Sequence, residues 1–146
     1  MNRLTVAALV LLGIGAGWAI ISWLVETDEE QIEARIGAMT DAAVRRDIDG
    51  ILDGLAGGIT FDGAMMGAER RGLDPARKRL ETWIGSGRIK VFSANVEGIE
   101  VNGDQATADV YVKYSYKEFT FPDHWKVELE RKEDEWFVVA ASRIGR

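Results

Sequence analysis

The sequence predicts an α+β fold in which three amino-terminal helices pack on an antiparallel sheet, behind one transmembrane helix. Three observations support this prediction. Residues 4–25 carry no charge, apolar residues between Ile32 and Ile84 recur at helical spacing, and after Gly87 the apolar period changes to two. We therefore assign residues 1–25 to an anchor and residues 26–146 to a single domain.

The uncharged amino-terminal segment decides the expected location. Its 22 residues, 4–25, match the roughly 20 that a helix needs to cross a bilayer core of about 30 Å. The alternative is a cleaved signal peptide, whose apolar region is usually about 7–15 residues long and ends in a small-x-small site. Its nearest match, Gly17-Trp18-Ala19, would leave an apolar tail on the mature chain. We therefore expect a retained anchor, with Arg3 in the cytoplasm and the domain outside a bacterial-type inner membrane.

The composition excludes several classes of site. The 146 residues suffice for one domain with a single core. The chain has no cysteine and only one histidine, which excludes disulfides, thiolate nucleophiles and multi-histidine metal sites within one chain. A net charge of −6 disfavours nucleic acid as a partner, because phosphate neutralisation needs clustered cations. We expect no metal and no cofactor.

The first two helices carry recognisable start signals. Thr27 and Glu30 form a capping-box pattern ahead of an apolar stripe. Asp47 or Asp49 caps a second, shorter helix, which the glycine pair 57–58 should end.

The following stretch should lead through a short strand into the third helix. We expect that strand at residues 59–62 and a loop at residues 63–72. Asp74 is the expected cap of the third helix and Pro75 its first helical residue. Its inward side chains should be Leu80, Trp83 and Ile84.

Four strands are predicted after Gly87. The first, residues 88–101, should carry a bulge near Gly98, and Asn102-Gly103 is a strong hairpin-turn signal. The remaining strands are expected at 105–119, 125–131 and 136–143, with a turn at 132–135.

Three segments carry a resemblance to a known fold family. They are EEQIEARIGAMTDAAVRRD, DIDGILDGL running into ITFD, and the closing strand EWFVVAASR. Their order over residues 27–144 resembles the NTF2-like superfamily, which includes SnoaL-like and ketosteroid-isomerase-like domains. The resemblance implies a curved sheet wrapped around the helices as a cone. It also implies a pocket inside the cone and a dimer formed by the outer sheet face.

Alternation along the strands predicts which side chains face the helices, because residues two apart share a face. His124 falls in phase with charged residues, so we expect it on the outer face rather than as a catalytic base, which needs a sheltered site. Aromatic residues at these spacings also fit a filled core. The predicted pocket residues are Phe61, Trp83, Phe92, Tyr114, Tyr116 and Trp125.

Two functional hypotheses follow. The first is a membrane-anchored, non-catalytic module that binds a small apolar ligand or an envelope protein partner, with a homodimer face at Tyr111, Phe137 and Val139, continued by Ala141. The alternative is a small-molecule lyase or isomerase in which Asp62 and Tyr114 act as acid and base. The resemblance implies this chemistry, because ketosteroid-isomerase-like members use tyrosine and acidic groups in an apolar site. Asp62-Gly63 also fits a turn.

Overall fold

The computed structural model describes residues 27–63 and 67–144, with the side chains of residues 61–71 outside that description. The predicted anchor at residues 4–25 also lies outside the described residues. Within the described ranges, the helices are too short or too polar to cross a bilayer.

The helices are α1 (Asp28–Val44), α2 (Ile48–Leu52) and α3 (Leu73–Leu80), which continues into a π-helical turn, Glu81–Gly85. The strands are β1 (Leu55–Gly63), β2 (Gly67–Arg71), β3 (Ile89–Asn102), β4 (Gln105–Tyr116), β5 (Phe119–Lys132) and β6 (Glu135–Ile144).

The predicted capping box at the start of α1 is confirmed. The Glu30 amide donates to Thr27 Oγ1 at 3.2 Å, and the Thr27 amide donates back to the Glu30 carboxylate at 3.2 Å. The next cap is Asp47, whose side chain accepts from the amide of Gly50. These caps satisfy amides that the first turn of each helix leaves without an intrahelical partner.

The glycine pair 57–58 does not end a helix, contrary to the prediction. Helix α2 already ends at Leu52, and both glycines lie inside the nine-residue strand β1. The predicted loop at 63–72 contains strand β2, which pairs antiparallel with β1. Strand β1 also pairs in parallel with β6, some eighty residues later. The two glycines lie between the Leu55–Val138 and Thr60–Ala140 pairs of this ladder, where its register shifts, although their local sequence is typical of a helix end.

Helix α3 starts two residues earlier than predicted, at Leu73 instead of Pro75. Gly72 is its N-cap, with a φ of 100°, and no side chain caps it. Asp74, the predicted cap, lies in the first turn, where its charge complements the helix dipole. The π-helical turn that follows rotates Trp83 and Ile84 relative to an ideal α-helix.

The six strands form one mixed sheet in the order β2-β1-β6-β5-β4-β3. The predicted bulge near Gly98 is confirmed, because Val96 pairs with Val110 and Gly98 with Asp109, which leaves Glu97 as an extra residue. The turn between β3 and β4 centres on Gly103 and Asp104, one residue later than predicted.

The core lies between the helices and the inner face of the sheet. Its most completely buried large side chains are Trp136, Ile32, Ile59 and Leu129. Arg131 stacks over the Trp136 ring and binds Asp28 at 3.0 Å, which ties the start of α1 to β5. The sheet is therefore filled at the Trp136 end, and the site lies toward the other end.

Candidate functional site

A cavity of about 280 Å³ lies between the inner face of the sheet and the helices. Its volume is close to the lower end of small-molecule sites, about 300 Å³. Its walls are almost wholly apolar, and the described lining side chains that carry a nitrogen or oxygen atom are those of Thr40, Arg79, Trp83, Tyr114 and Trp125. The apolar walls include Ile36, Met39, Leu55, Val110, Val112 and Val127.

Helix α3 and its π-helical turn form one wall. Arg79, Leu80, Trp83 and Ile84 all line the cavity from this segment. The Trp83 ring packs against Tyr116 with centroids 5.9 Å apart. Its indole Nε1 is buried and, among the described residues, has no hydrogen-bond partner. The indole Nε1 of Trp136, in the filled part of the core, is buried without a described partner in the same way, so this atom by itself does not mark a ligand contact.

A polar network adjoins the cavity through Tyr114, which lines it from the sheet side. The Tyr114 hydroxyl donates to Asp123 Oδ2 at 2.7 Å. Arg143 donates to the other oxygen, Oδ1, through Nε at 2.8 Å, and its terminal Nη2 forms an ion pair with the same oxygen at 2.7 Å. Asp123 is only 5% exposed, and it is the one charged residue that is buried in the described part of the chain. Its two partners, Tyr114 and Arg143, compensate for burying its charge.

The network restricts the chemistry that these side chains can perform. Both oxygens of Asp123 already accept hydrogen bonds, and the single hydroxyl proton of Tyr114 is used. Burial, together with the hydrogen bond to Asp123, raises the pKa of Tyr114 to about 12. The folded protein therefore favours the protonated phenol, whose one proton is engaged by Asp123.

A bulge in strand β6 places Arg143 in this network. Leu129 pairs with Val138, whereas the preceding Glu128 pairs with Ala140, which leaves Val139 as an extra residue. An extra residue reverses the alternation beyond it. Ala141 therefore lines the cavity and Arg143 reaches Asp123. Strict alternation placed Ala141 on the outer face, and that prediction is wrong.

Comparison with known proteins identifies the architecture. No family model and no curated protein sequence matches the chain. A crystal structure of an NTF2-like protein of unknown function from Pseudomonas putida superposes with a TM-score of 0.67 and 20% identity, over 77% of this chain and 82% of that one. An NTF-2 like protein from Shewanella oneidensis gives a TM-score of 0.67 and 14% identity over 80% and 98%. The chain has an NTF2-like fold. An LEH-like epoxide hydrolase from M. tuberculosis is also similar, with a TM-score of 0.57 and 13% identity over 75% and 78%.

The NTF2-like fold brings together some of the predicted pocket residues. Trp83, Tyr114 and Trp125 line the cavity. Tyr116 does not line it, but its ring packs against that of Trp83. The prediction that Phe92 lines the pocket is wrong, because this residue is 55% exposed. Val91 pairs with Tyr114 and Ser93 with Lys113, so Phe92 is the extra residue of a second bulge.

The two predicted residues on β1 have a described backbone only. Phe61 pairs with Ala141 and Asp62 with Ser142, in the parallel ladder of β1 and β6. Their side chains lie outside the described part of the structure. Asp62 as an acid or base therefore stays a prediction.

Two site residues were missed in the sequence, and one of them had a local signal. Asp123 is in phase with Trp125, Val127 and Leu129, so the alternation that places those residues inward also predicts an inward carboxylate. Arg143 had no such signal, because its face depends on the bulge at Val139.

The outer face of the NTF2-like sheet holds His124, as its phase predicted. Its ring lies edge-on to Tyr111 with centroids 4.9 Å apart, and its Nδ1 is 3.5 Å from the Glu97 carboxylate. Of the predicted dimer face, Phe137 is partly covered by the Arg35 guanidinium, 5.3 Å from its centroid. Val139, on the same face, is the bulged residue.

Proposed function

We propose that this protein binds a small, largely apolar molecule inside its NTF2-like domain, does not transform it, and is held at a bacterial-type inner membrane by residues 4–25. The cavity of about 280 Å³ is the observation that carries the proposal. A ligand that buries apolar surface against these walls gains about 25 cal/mol per Å² removed from water. The Trp83 and Trp125 rings and the aliphatic side chains around them offer such surface.

The hydrogen bonding of Tyr114 favours binding over catalysis. A general acid or base must exchange a proton with the substrate within hydrogen-bond reach. The Tyr114 proton is engaged by Asp123, and Asp123 is engaged on both oxygens. The alternative, a lyase or isomerase using Asp62 and Tyr114, requires Tyr114 to release Asp123 and donate to the substrate instead.

Native mass spectrometry of the gently purified full chain tests the binding proposal. We expect a small-molecule adduct on the wild type and its loss in Ala94→Phe, which fills the cavity from β3. Ser93→Phe is the matched control, because Ser93 is exposed and lies next to Ala94 on the same strand. An adduct that survives Ala94→Phe, or protein-only masses in the presence of added apolar probes, would contradict binding in this cavity.

Self-association through the outer sheet face is a second candidate function. The specific observation is a separation of charge along the strands. Apart from Lys126 and Lys132, the half near the Asn102 turn is acidic, and apart from Glu118 the half near the Lys117 turn is basic, with Tyr111 and His124 between them. The acidic residues are Glu97, Glu100, Asp109, Glu128 and Glu130, and the basic ones are Lys90, Lys113 and Lys117.

A two-fold axis running across the strands at Tyr111 would bring the acidic half of one copy against the basic half of the other. Such complementarity favours association and fixes its orientation. In that arrangement Asp109 faces Lys113 of the second copy.

We expect Lys113→Glu to shift the chain to monomer in analytical ultracentrifugation, and the added change Asp109→Lys to restore the dimer. A wild type that is monomeric, or a dimer that Lys113→Glu leaves unchanged, would exclude this interface.

A further inference from the structure

Three of the five side chains that could bring a hydrogen-bonding atom to the cavity have that atom engaged or shielded. The Thr40 hydroxyl donates to the Ile36 carbonyl oxygen at 2.8 Å, one turn earlier in α1. The Tyr114 hydroxyl donates to Asp123 at 2.7 Å. The indole Nε1 of Trp83 is buried, so that atom is not open to the cavity space. These three groups are therefore not directed at a ligand.

The other two side chains, Arg79 and Trp125, present carbon atoms to the cavity. Almost none of the surface of the described walls belongs to nitrogen or oxygen, whether of side chains or of the backbone. Arg79 is half-buried on α3, and it lines the cavity with its aliphatic stem while its guanidinium faces elsewhere. The described walls therefore offer a bound molecule neither a donor nor an acceptor.

Walls of this kind discriminate against any polar group that enters. A hydroxyl, carbonyl or ring nitrogen would give up its hydrogen bonds to water and find no replacement. A hydrocarbon has no such bonds to lose. An apolar cavity of about 150 Å³ in another protein stays dry and binds benzene. The present cavity, at about 280 Å³, is nearly twice that size, which corresponds to two fused rings.

We infer that the part of the ligand inside the cavity is an unsubstituted hydrocarbon of about two fused rings in size, with no hydrogen-bonding group. This inference rests on the proposed binding function and names the chemical class of its ligand. A free hydrocarbon and the hydrocarbon end of a lipid share this chemistry.

The test compares naphthalene with quinoline, which has the same two-ring shape but carries one ring nitrogen that accepts hydrogen bonds. The full chain in lipid nanodiscs is dialysed to equilibrium against each probe, and bound probe is measured by gas chromatography. Empty nanodiscs dialysed in parallel give the uptake by lipid, which is subtracted. We expect naphthalene to bind at least about tenfold more tightly than quinoline, a ratio equal to about 1.4 kcal/mol.

A variant that adds a hydroxyl to the wall should reduce this preference. Val112→Thr keeps the shape of a cavity-lining side chain on β4 and supplies a donor for the quinoline nitrogen. We expect the preference for naphthalene to fall at least about threefold. Val127→Thr repeats the test from β5. Val139→Thr is the matched control and should keep the wild-type ratio, because Val139 lies on the outer face of the sheet.

The outcomes separate this inference from the proposed function. Equal binding of the two probes, or a preference that neither threonine variant on the cavity wall reduces, overturns the hydrocarbon inference and leaves ligand binding intact. If neither probe binds, the proposed function fails with it. Native mass spectrometry from nanodiscs made of one lipid of known mass distinguishes the sources. An adduct of that mass indicates the end of a lipid, and a lighter adduct indicates a free hydrocarbon.

Discussion

The Tyr114 hydroxyl and the Asp123 carboxylate are joined by a 2.7 Å hydrogen bond at the end of the cavity, where both side chains are more than nine-tenths buried. Arg143 completes the contact on the second carboxylate oxygen. This arrangement joins three strands, because the three residues lie on β4, β5 and β6. The network therefore contributes to the stability of the sheet as well as to the shape of the site.

Removing the Tyr114 hydroxyl should destabilise the fold. Tyr114→Phe leaves Asp123 Oδ2 buried without its donor, and we expect a loss of about 1–3 kcal/mol in the free energy of unfolding. Chemical denaturation followed by tryptophan fluorescence measures the change. Tyr111→Phe is the control, since Tyr111 is on the outer face and its hydroxyl makes no described hydrogen bond. Equal losses in the two variants would show that the Asp123 contact contributes nothing of its own.

The stability of the protein should fall at high pH through Tyr114. Its pKa is raised from 10.0 to about 12 in the folded chain, so folding favours the protonated phenol. The stabilisation is complete below pH 10 and is lost as the pH rises from 10 toward 12, because the unfolded chain ionises first. We expect Tyr114→Phe to flatten this part of the curve of unfolding free energy against pH, with Tyr111→Phe keeping the wild-type slope. A slope that is the same in all three proteins would contradict this assignment.

Deleting Val139 should disrupt the site much more than shortening its side chain. Without the extra residue, either Ala141 and Arg143 turn outward, or Trp136 and Val138 do. Each result exposes core or cavity residues, so we expect a destabilisation of more than about 4 kcal/mol, or failure to fold.

The control for the deletion is Val139→Ala, which keeps the bulge. It should cost less than about 1.5 kcal/mol, since Val139 lies on the outer face. Thermal unfolding of the two variants makes the comparison. A deletion variant as stable as Val139→Ala would mean that the register of β6 is not set by this bulge.

Two aromatic residues that share a strand-based prediction should behave differently. Trp125 lines the cavity, whereas Phe92 is 55% exposed. Trp125→Leu should weaken binding of an apolar probe by about tenfold, because part of one cavity wall is removed. Phe92→Ser should leave binding unchanged. Equilibrium dialysis with naphthalene decides, and a loss of binding in Phe92→Ser would return Phe92 to the site.

The elements of this fold whose signals are local were predictable from the sequence. The Thr27 capping box, the alternation of β4 and β5 and the bulge near Gly98 each depend on residues within a few positions of one another. The inward placement of Trp83, Tyr114 and Trp125 follows from the same short periodicities. So does the outer position of His124.

Only the tertiary structure decided how those elements combine. Gly57 and Gly58 lie inside β1 because residues on both sides of them pair with β6, a contact between distant parts of the chain. Arg143 meets Asp123 because an extra residue at Val139 reverses the faces of β6, and no local pattern marks that position. Phe92 is exposed because it is itself an extra residue, in a bulge of β3. Periodicity specifies which residues share a face within a strand, whereas the register between strands is set by the packing of the whole sheet against its helices.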